Sequence, residues 1–132
     1  MSVNKVIKVA LIEDDPGIQS MYARYFDLVG GLEVKLANNG AEGLELLKIY
    51  TPDIILLDMM MPTMSGIETL EKIRDLPNAA SYKIIALTNM NDINTNEAII
   101  KLGVSEHIVK ANSSPGKIVE RIKAIVGDNI ST

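Results

Sequence analysis

In this chain of 132 residues the side chains suited to chemistry stand directly behind apolar runs. Glu13, Asp14 and Asp15 follow "VIKVALI", and Asp58 ends "DIILLD". Two more runs end in polar groups: "KIIAL" is followed by Thr88 and Asn89, and "HIV" by Lys110. A carboxylate at the end of a stiff, buried segment is a positioned nucleophile or ligand rather than a mobile surface charge. Carboxylates brought close together repel, so either some are protonated or a cation sits among them. Oxygen donors without neighbouring His or Cys favour a hard ion, Mg2+ before Zn2+. Asp58 beside such an ion, with Lys110 and the Thr88 hydroxyl from adjoining segment ends, can accept a phosphoryl group. Cation and lysine then neutralise charge on the transferring oxygens while the hydroxyl donates a hydrogen bond.

That chemistry requires the segment ends to meet. Val6 to Ile12 is β-branched and mostly apolar, which predicts a strand. Pro16 to Val29 predicts a helix with Ile18, Met21, Tyr22, Tyr25, Phe26 and Val29 on one face, stopped by Gly30 and Gly31. Leu32 to Ala37 reads as a short strand, and "NNG" at 38–40 opens a helix through Tyr50 with Leu44, Leu47 and Ile49 among its apolar positions. The continuous aliphatic run Ile54 to Leu57 is that of a strand covered on both faces. A helix over Ser65 to Leu76 carries Ile67, Leu70 and Ile73 as its stripe. Strand Lys83 to Leu87, helix Ile93 to Leu102, strand His107 to Val109 and helix Ser114 to Val126 complete the series. Strict alternation of five strand and helix units predicts an α/β fold, one doubly wound parallel sheet with five helices. In the flavodoxin-like order 2-1-3-4-5, strands one and three are neighbours about 5 Å apart, so Asp14 and Asp58 converge beyond the carboxyl ends, where ligands bind.

Bulk properties exclude several other classes. Hydrophobic residues make up 47% and charged residues 23%, near the globular average, and the length suits a single domain over 1–132 with its core at about 6–126. The absence of cysteine rules out disulfides and thiolate nucleophiles, and fits a reducing compartment, so the expected location is cytoplasmic. The N-terminal apolar segment is broken by Lys5 and Lys8 and is too short for a signal peptide or a membrane span. A net charge of −4, scattered basic residues and no tryptophan argue against direct nucleic-acid binding.

Taken in order and spacing, "LIEDD", "IILLDMMMPTMSGIE", "IIALTN" and "HIVKA" resemble the marker segments of two-component response-regulator receiver domains, the CheY-like family, over residues 6–126. The strand order used above is that family's own, so the two readings are not independent. The resemblance implies a signalling switch rather than an enzyme acting on external substrates. It implies that Asp58 is the phosphoacceptor, and that Glu13 and Asp14 form the acidic pair, with Asp14 the more direct Mg2+ ligand. The Met60 backbone carbonyl is implied as a further ligand, Thr88 as the hydroxyl that moves to meet the phosphoryl group, and Lys110 as its pairing cation. A histidine kinase or histidine phosphotransfer protein is implied as donor. The face around helix four, strand five and helix five is implied to control a downstream effector protein or an output domain. Pro62 and Gly66 match the turn after the acceptor strand.

Four positions make three departures from the family pattern. The switch aromatic is replaced by His107, the single histidine, so rotamer switching of a Tyr or Phe is not assumed. Lys110 is followed by Ala111 where the family usually has Pro; a cis bond there costs about 3 kcal/mol. Met60 and Met90 stand two positions beyond Asp58 and Thr88, where apolar side chains do not align a hydrolytic water, which predicts slow self-dephosphorylation.

Plainer roles compete at several positions. Asp15 before Pro16 reads first as a helix cap, His107 as a half-buried strand residue, and Met59 to Met61 as mostly loop. The Ile118, Ile122, Ile125 and Val126 stripe reads as core. Among other functions, a haloacid-dehalogenase-type phosphohydrolase needs a second acid where Met60 stands. A flavodoxin needs a phosphate loop where "EDDP" repels phosphate. A pseudo-receiver that binds partners without phosphorylation is the remaining alternative.

Overall fold

The computed structural model describes residues 6–61, 64–88, 93–110 and 114–127, with 93–96 as backbone. Pro62, Asn89, Met90 and the Lys110–Ala111 bond lie outside those residues. The elements alternate as β1 (Ile7–Ile12), α1 (Pro16–Val29), β2 (Leu32–Ala37), α2 (Gly40–Ile49), β3 (Ile54–Asp58), α3 (Gly66–Arg74), β4 (Lys83–Thr88), α4 (Ile93–Lys101), β5 (Glu106–Val109) and α5 (Pro115–Gly127), with one 3-10 turn at Ala79–Ser81. All strand pairs are parallel, as the alternation predicts, and the order is the expected flavodoxin-like β2-β1-β3-β4-β5. Element ends move by one or two residues from expectation; β3, for example, extends to include Asp58 itself.

Successive strand residues point to opposite faces, so one sheet feeds two cores. Val9, Leu11, Ile54, Leu56, Ile85 and Leu87 meet α1 and α5 through Tyr22, Phe26, Ile118 and Ile122. Ala10, Ile12, Ile55, Leu57, Ile84 and Ala86 meet the opposite helices through Leu47, Leu70, Ile73 and Ile99. Each fully buried aliphatic or aromatic side chain contributes about 1.5–3 kcal/mol. β3 lies between β1 and β4 and all five of its residues are buried, the consequence of helices on both faces. The α5 stripe is core at Ile118, Ile122 and Val126, with Ile125 packed at its margin.

Polar residues fix the helix starts. Asp15 accepts from Gly17 and Ile18 N–H at 2.8 and 3.2 Å, Asn39 from Glu42 N–H at 2.8 Å, and Ser65 from Glu68 N–H at 3.1 Å, each satisfying an N–H that has no partner within its helix. Asp15 is therefore the cap that its place before Pro16 suggests. At the other end of the sheet, Arg74 closes α3. It donates from Nε to Leu102 O at 2.7 Å, from Nη1 to Ala79 O at 2.6 Å and from Nη2 to Gly103 O at 2.8 Å. Gly103 has φ +75°, a conformation that favours glycine.

Some apolar positions depart from expectation. Met21 and Val29 are exposed, and the inward residues of α1 are Gln19, Tyr22 and Phe26; the buried stripe is narrower and rotated from the apolar one. Ile49 is 85% exposed at the end of α2. Met59 and Met61 are not loop residues in solvent: both are buried in the second core and only Met60 faces out. Their unbranched thioethers fill the space where β3 leaves the sheet.

Candidate functional site

Asp58 is the last residue of β3 and is 1% exposed. Its Oδ1 accepts from Met60 N–H at 2.9 Å and lies 3.3 Å from Lys110 Nζ. The turn that makes this possible is tight. Gly66 N–H reaches Met59 O at 3.4 Å, and a Cβ on Gly66 would stand 2.3 Å from Met59 Cα, so only glycine lets α3 approach the backbone behind the aspartate.

One strand away, Glu13 continues β1: its N–H donates to Ala37 O at 3.0 Å. Its side chain is buried, Oε2 accepting from Asp15 N–H at 3.2 Å and Oε1 lying 3.2 Å from Lys110 Nζ. Burial, and then the charge of Asp58, push the Glu13 carboxyl up to about 7. Burial lowers the Lys110 ammonium, but the Asp58 and Glu13 carboxylates outweigh it and hold Lys110 above its ordinary value. Asp14 is half-buried, and Glu13, Asp14 and Asp58 each offer an oxygen within 4.8 Å of the others. These groups line an open cleft of about 450 Å³ with Asp15, Ile18, Met60 and Lys110.

The predicted Asp14, Asp58, Glu13 and Lys110 are thus brought together, with half-exposed Met60 at the rim. Thr88 ends β4, buried, with its hydroxyl donating to Ile108 O across a long 3.5 Å. His107 is half-buried in β5 opposite Ala86. The sequence reading missed Gln19, whose amide donates to Glu13 O and to Asn38 Oδ1. Its signal was present, a polar residue at the spacing of Tyr22 and Phe26 on a helix stripe.

The donor set fits a divalent cation. All ligand atoms are oxygen, three acids face one lysine, and among the described residues Glu13 Oε1 is a buried oxygen without a hydrogen-bond donor in suitable geometry. Lys110, 3.2 Å from that oxygen, supplies one positive charge against three clustered carboxylates, and a further cation offsets the remaining repulsion. Mg2+ bound through one or two carboxylates and waters suits an open cleft of this kind.

Comparison with known proteins places this architecture among described ones. A family model described as the response regulator receiver domain matches residues 9–123. A probable C4-dicarboxylate response regulator, DctR, of Priestia megaterium is 37% identical over 107 residues, 80% of this chain and 46% of that protein. The Regulator of RpoS of Escherichia coli K12 is 32% identical over 120 residues, 90% of this chain and 33% of that protein. The chain therefore spans a third to a half of the length of these relatives. A CheY-like receiver domain protein from Methanospirillum hungatei superposes with a TM-score of 0.85 at 24% identity, covering 94% of this chain and 96% of that one. Among the described residues no helix is long and apolar enough to cross a membrane.

Proposed function

Because the chain belongs to the receiver-domain family of two-component response regulators, we propose that it is a phosphorylation-controlled switch with Asp58 as the phosphoacceptor. Receiver domains work with histidine kinases and effectors and bind Mg2+ at an acidic pocket. The observation that carries the proposal for this chain is the buried Asp58 carboxylate held 3.3 Å from Lys110 in one cluster with Glu13 and Asp14.

An Asp58 oxygen attacks the phosphorus of a phosphohistidine on a histidine kinase or histidine phosphotransfer protein. The P–O bond forms as the P–N bond breaks, and the leaving imidazole nitrogen keeps the electron pair. Met60 N–H, bonded to Oδ1, orients the carboxylate. Lys110 neutralises charge on the transferring oxygens, a stabilisation made strong by the partly dry site. Glu13, Asp14, Asp58 and the Met60 carbonyl would hold Mg2+, which would supply Lewis-acid neutralisation of the same oxygens. The Thr88 hydroxyl gives up its long bond to Ile108 O and meets the phosphoryl group. That movement passes to the face formed by α4, β5 and α5, where His107 lies, and the altered face controls an effector protein or output domain.

The test is intact-mass spectrometry after incubation with Mg2+ and acetyl phosphate. One added phosphoryl group is expected, absent in Asp58→Asn and without Mg2+. No adduct, under conditions that label a control receiver, would overturn the phosphoacceptor role and favour a pseudo-receiver.

A further inference from the structure

The inward face of α1 carries one residue that packing does not explain. Tyr22 and Phe26 lie inward at helical spacing, and the inward position one turn earlier is Gln19, 8% exposed. A buried primary amide is costly unless its hydrogens are taken up. Here Nε2 donates to the Glu13 backbone carbonyl at 2.5 Å and to Asn38 Oδ1 at 2.8 Å. Asn38 is oriented in turn, because its Nδ2 and backbone N–H both donate to Glu42 Oε1 at 2.9 and 3.0 Å. Its oxygen is left for Gln19. The chain of contacts runs from the acidic pair through α1 to the loop after β2 and the first turn of α2.

Glu13 is thereby held on both sides, its N–H by Ala37 O and its C=O by Gln19. That carbonyl belongs to the planar peptide joining Glu13 to Asp14, so fixing it fixes the direction in which Asp14 leaves the chain. We propose that Gln19 is a positioning residue for the divalent-cation site: it anchors the Glu13–Asp14 peptide to Asn38 and so sets the Asp14 carboxylate against Glu13 and Asp58. The inference rests on the Mg2+ reading of the preceding subsection. Gln19 touches no ligand itself and acts through the peptide, as outer partners orient metal ligands generally.

The experiment titrates Mg2+ alone, with no phosphodonor, into wild type, Gln19→Met, Asn38→Ala and Asp58→Asn by calorimetry at a temperature where each is folded. Methionine keeps the length of Gln19 and removes both hydrogens. Gln19→Met is expected to bind Mg2+ about ten-fold more weakly, and Asn38→Ala to weaken binding in the same direction by less. Chelator-treated melting curves separate the two possible roles: a purely structural Gln19 lowers the melting temperature but leaves the affinity of folded protein unchanged. Wild-type affinity in Gln19→Met would overturn the inference while leaving the Mg2+ site intact. Wild type that binds no Mg2+, or Asp58→Asn that binds it equally well, would overturn the site reading and this inference together. Should Gln19→Met fail to fold, wild-type affinity in Asn38→Ala would overturn the proposal.

Discussion

Replacing Glu13 by glutamine is expected to stabilise the metal-free protein above neutral pH, by an amount set by the carboxyl's surroundings. In the folded chain burial and the charge of Asp58 hold that carboxyl up to about 7, against an ordinary value of 4.5. Below pH 4.5 both folded and unfolded chains keep the proton, and Glu13 costs nothing. As pH rises toward 7 the unfolded chain has released it while the folded chain still binds it, so stability falls, and above 7 the full cost is present. The interval corresponds to ~3 kcal/mol, at 1.4 kcal/mol for each tenfold in proton affinity. Glutamine carries no such cost, and the Lys110–Asp58 pair at 3.3 Å does not include the exchanged group. Urea unfolding in chelator at pH values from 4.5 to 8 should show wild type and Glu13→Gln converging at the acid end. At pH 8 the variant should be ahead by up to ~3 kcal/mol, roughly 10 °C in melting temperature. Saturating Mg2+ should narrow or reverse the difference, because wild type gains the ligand's binding free energy. A stability difference that does not change between pH 5 and 8, or a variant weaker than wild type at pH 8, would refute the reasoning.

Lys110→Met removes the cation shared by two buried acids, and urea unfolding should show a loss of about 3 kcal/mol at pH 8, shrinking at pH 5 where Glu13 is protonated. Met60→Asn places a polar group at the rim of the cleft, and mass spectrometry should find the aspartyl phosphate decaying about ten-fold faster as a water is aligned; an unchanged or slower decay would count against the slow wild-type decay predicted from Met60. Gly66→Ala sets a Cβ 2.3 Å from Met59 Cα. Because that neighbour is backbone, thermal unfolding should show a loss of about 2 kcal/mol, and phosphorylation of Asp58 should slow.

Much of this arrangement was legible because few residues carried more than one message. Pro16 and the Gly30-Gly31 pair bracket α1 to the residue, and the aliphatic run before Asp58 leaves little choice but a strand covered on both faces. With strands one and three neighbours in a parallel sheet, Glu13 and Asp14 after β1, Asp58 at the end of β3 and Lys110 after β5 all stand at its carboxyl end. What stayed hidden depends on contacts between distant segments. Nothing local says that Met59 and Met61 turn inward while Met60 turns out, or that Met21 gives its inward place to Gln19. Nor does the type of residue 88 reveal that its hydroxyl donates to Ile108 O, a choice made by β5. Arg74 is similar: on α3 it looks like an ordinary basic residue of a last turn, and only the fold presents it with carbonyls from 79, 102 and 103.

That guanidinium also makes α4 a lever with one end tied down. Leu102 and Gly103, immediately past the helix, are fastened to the end of α3, and the glycine at φ +75° supplies a bend. A tilt of α4 that keeps these bonds has its fulcrum there, so displacement is least at Lys101 and greatest at Ile93. Nine residues at 1.5 Å each make an arm of about 13 Å, and a 10° tilt sweeps its far end through about 2 Å. The sweep is largest at the end that follows β4 and Thr88 in the chain, and the tethered end stays in register with α3.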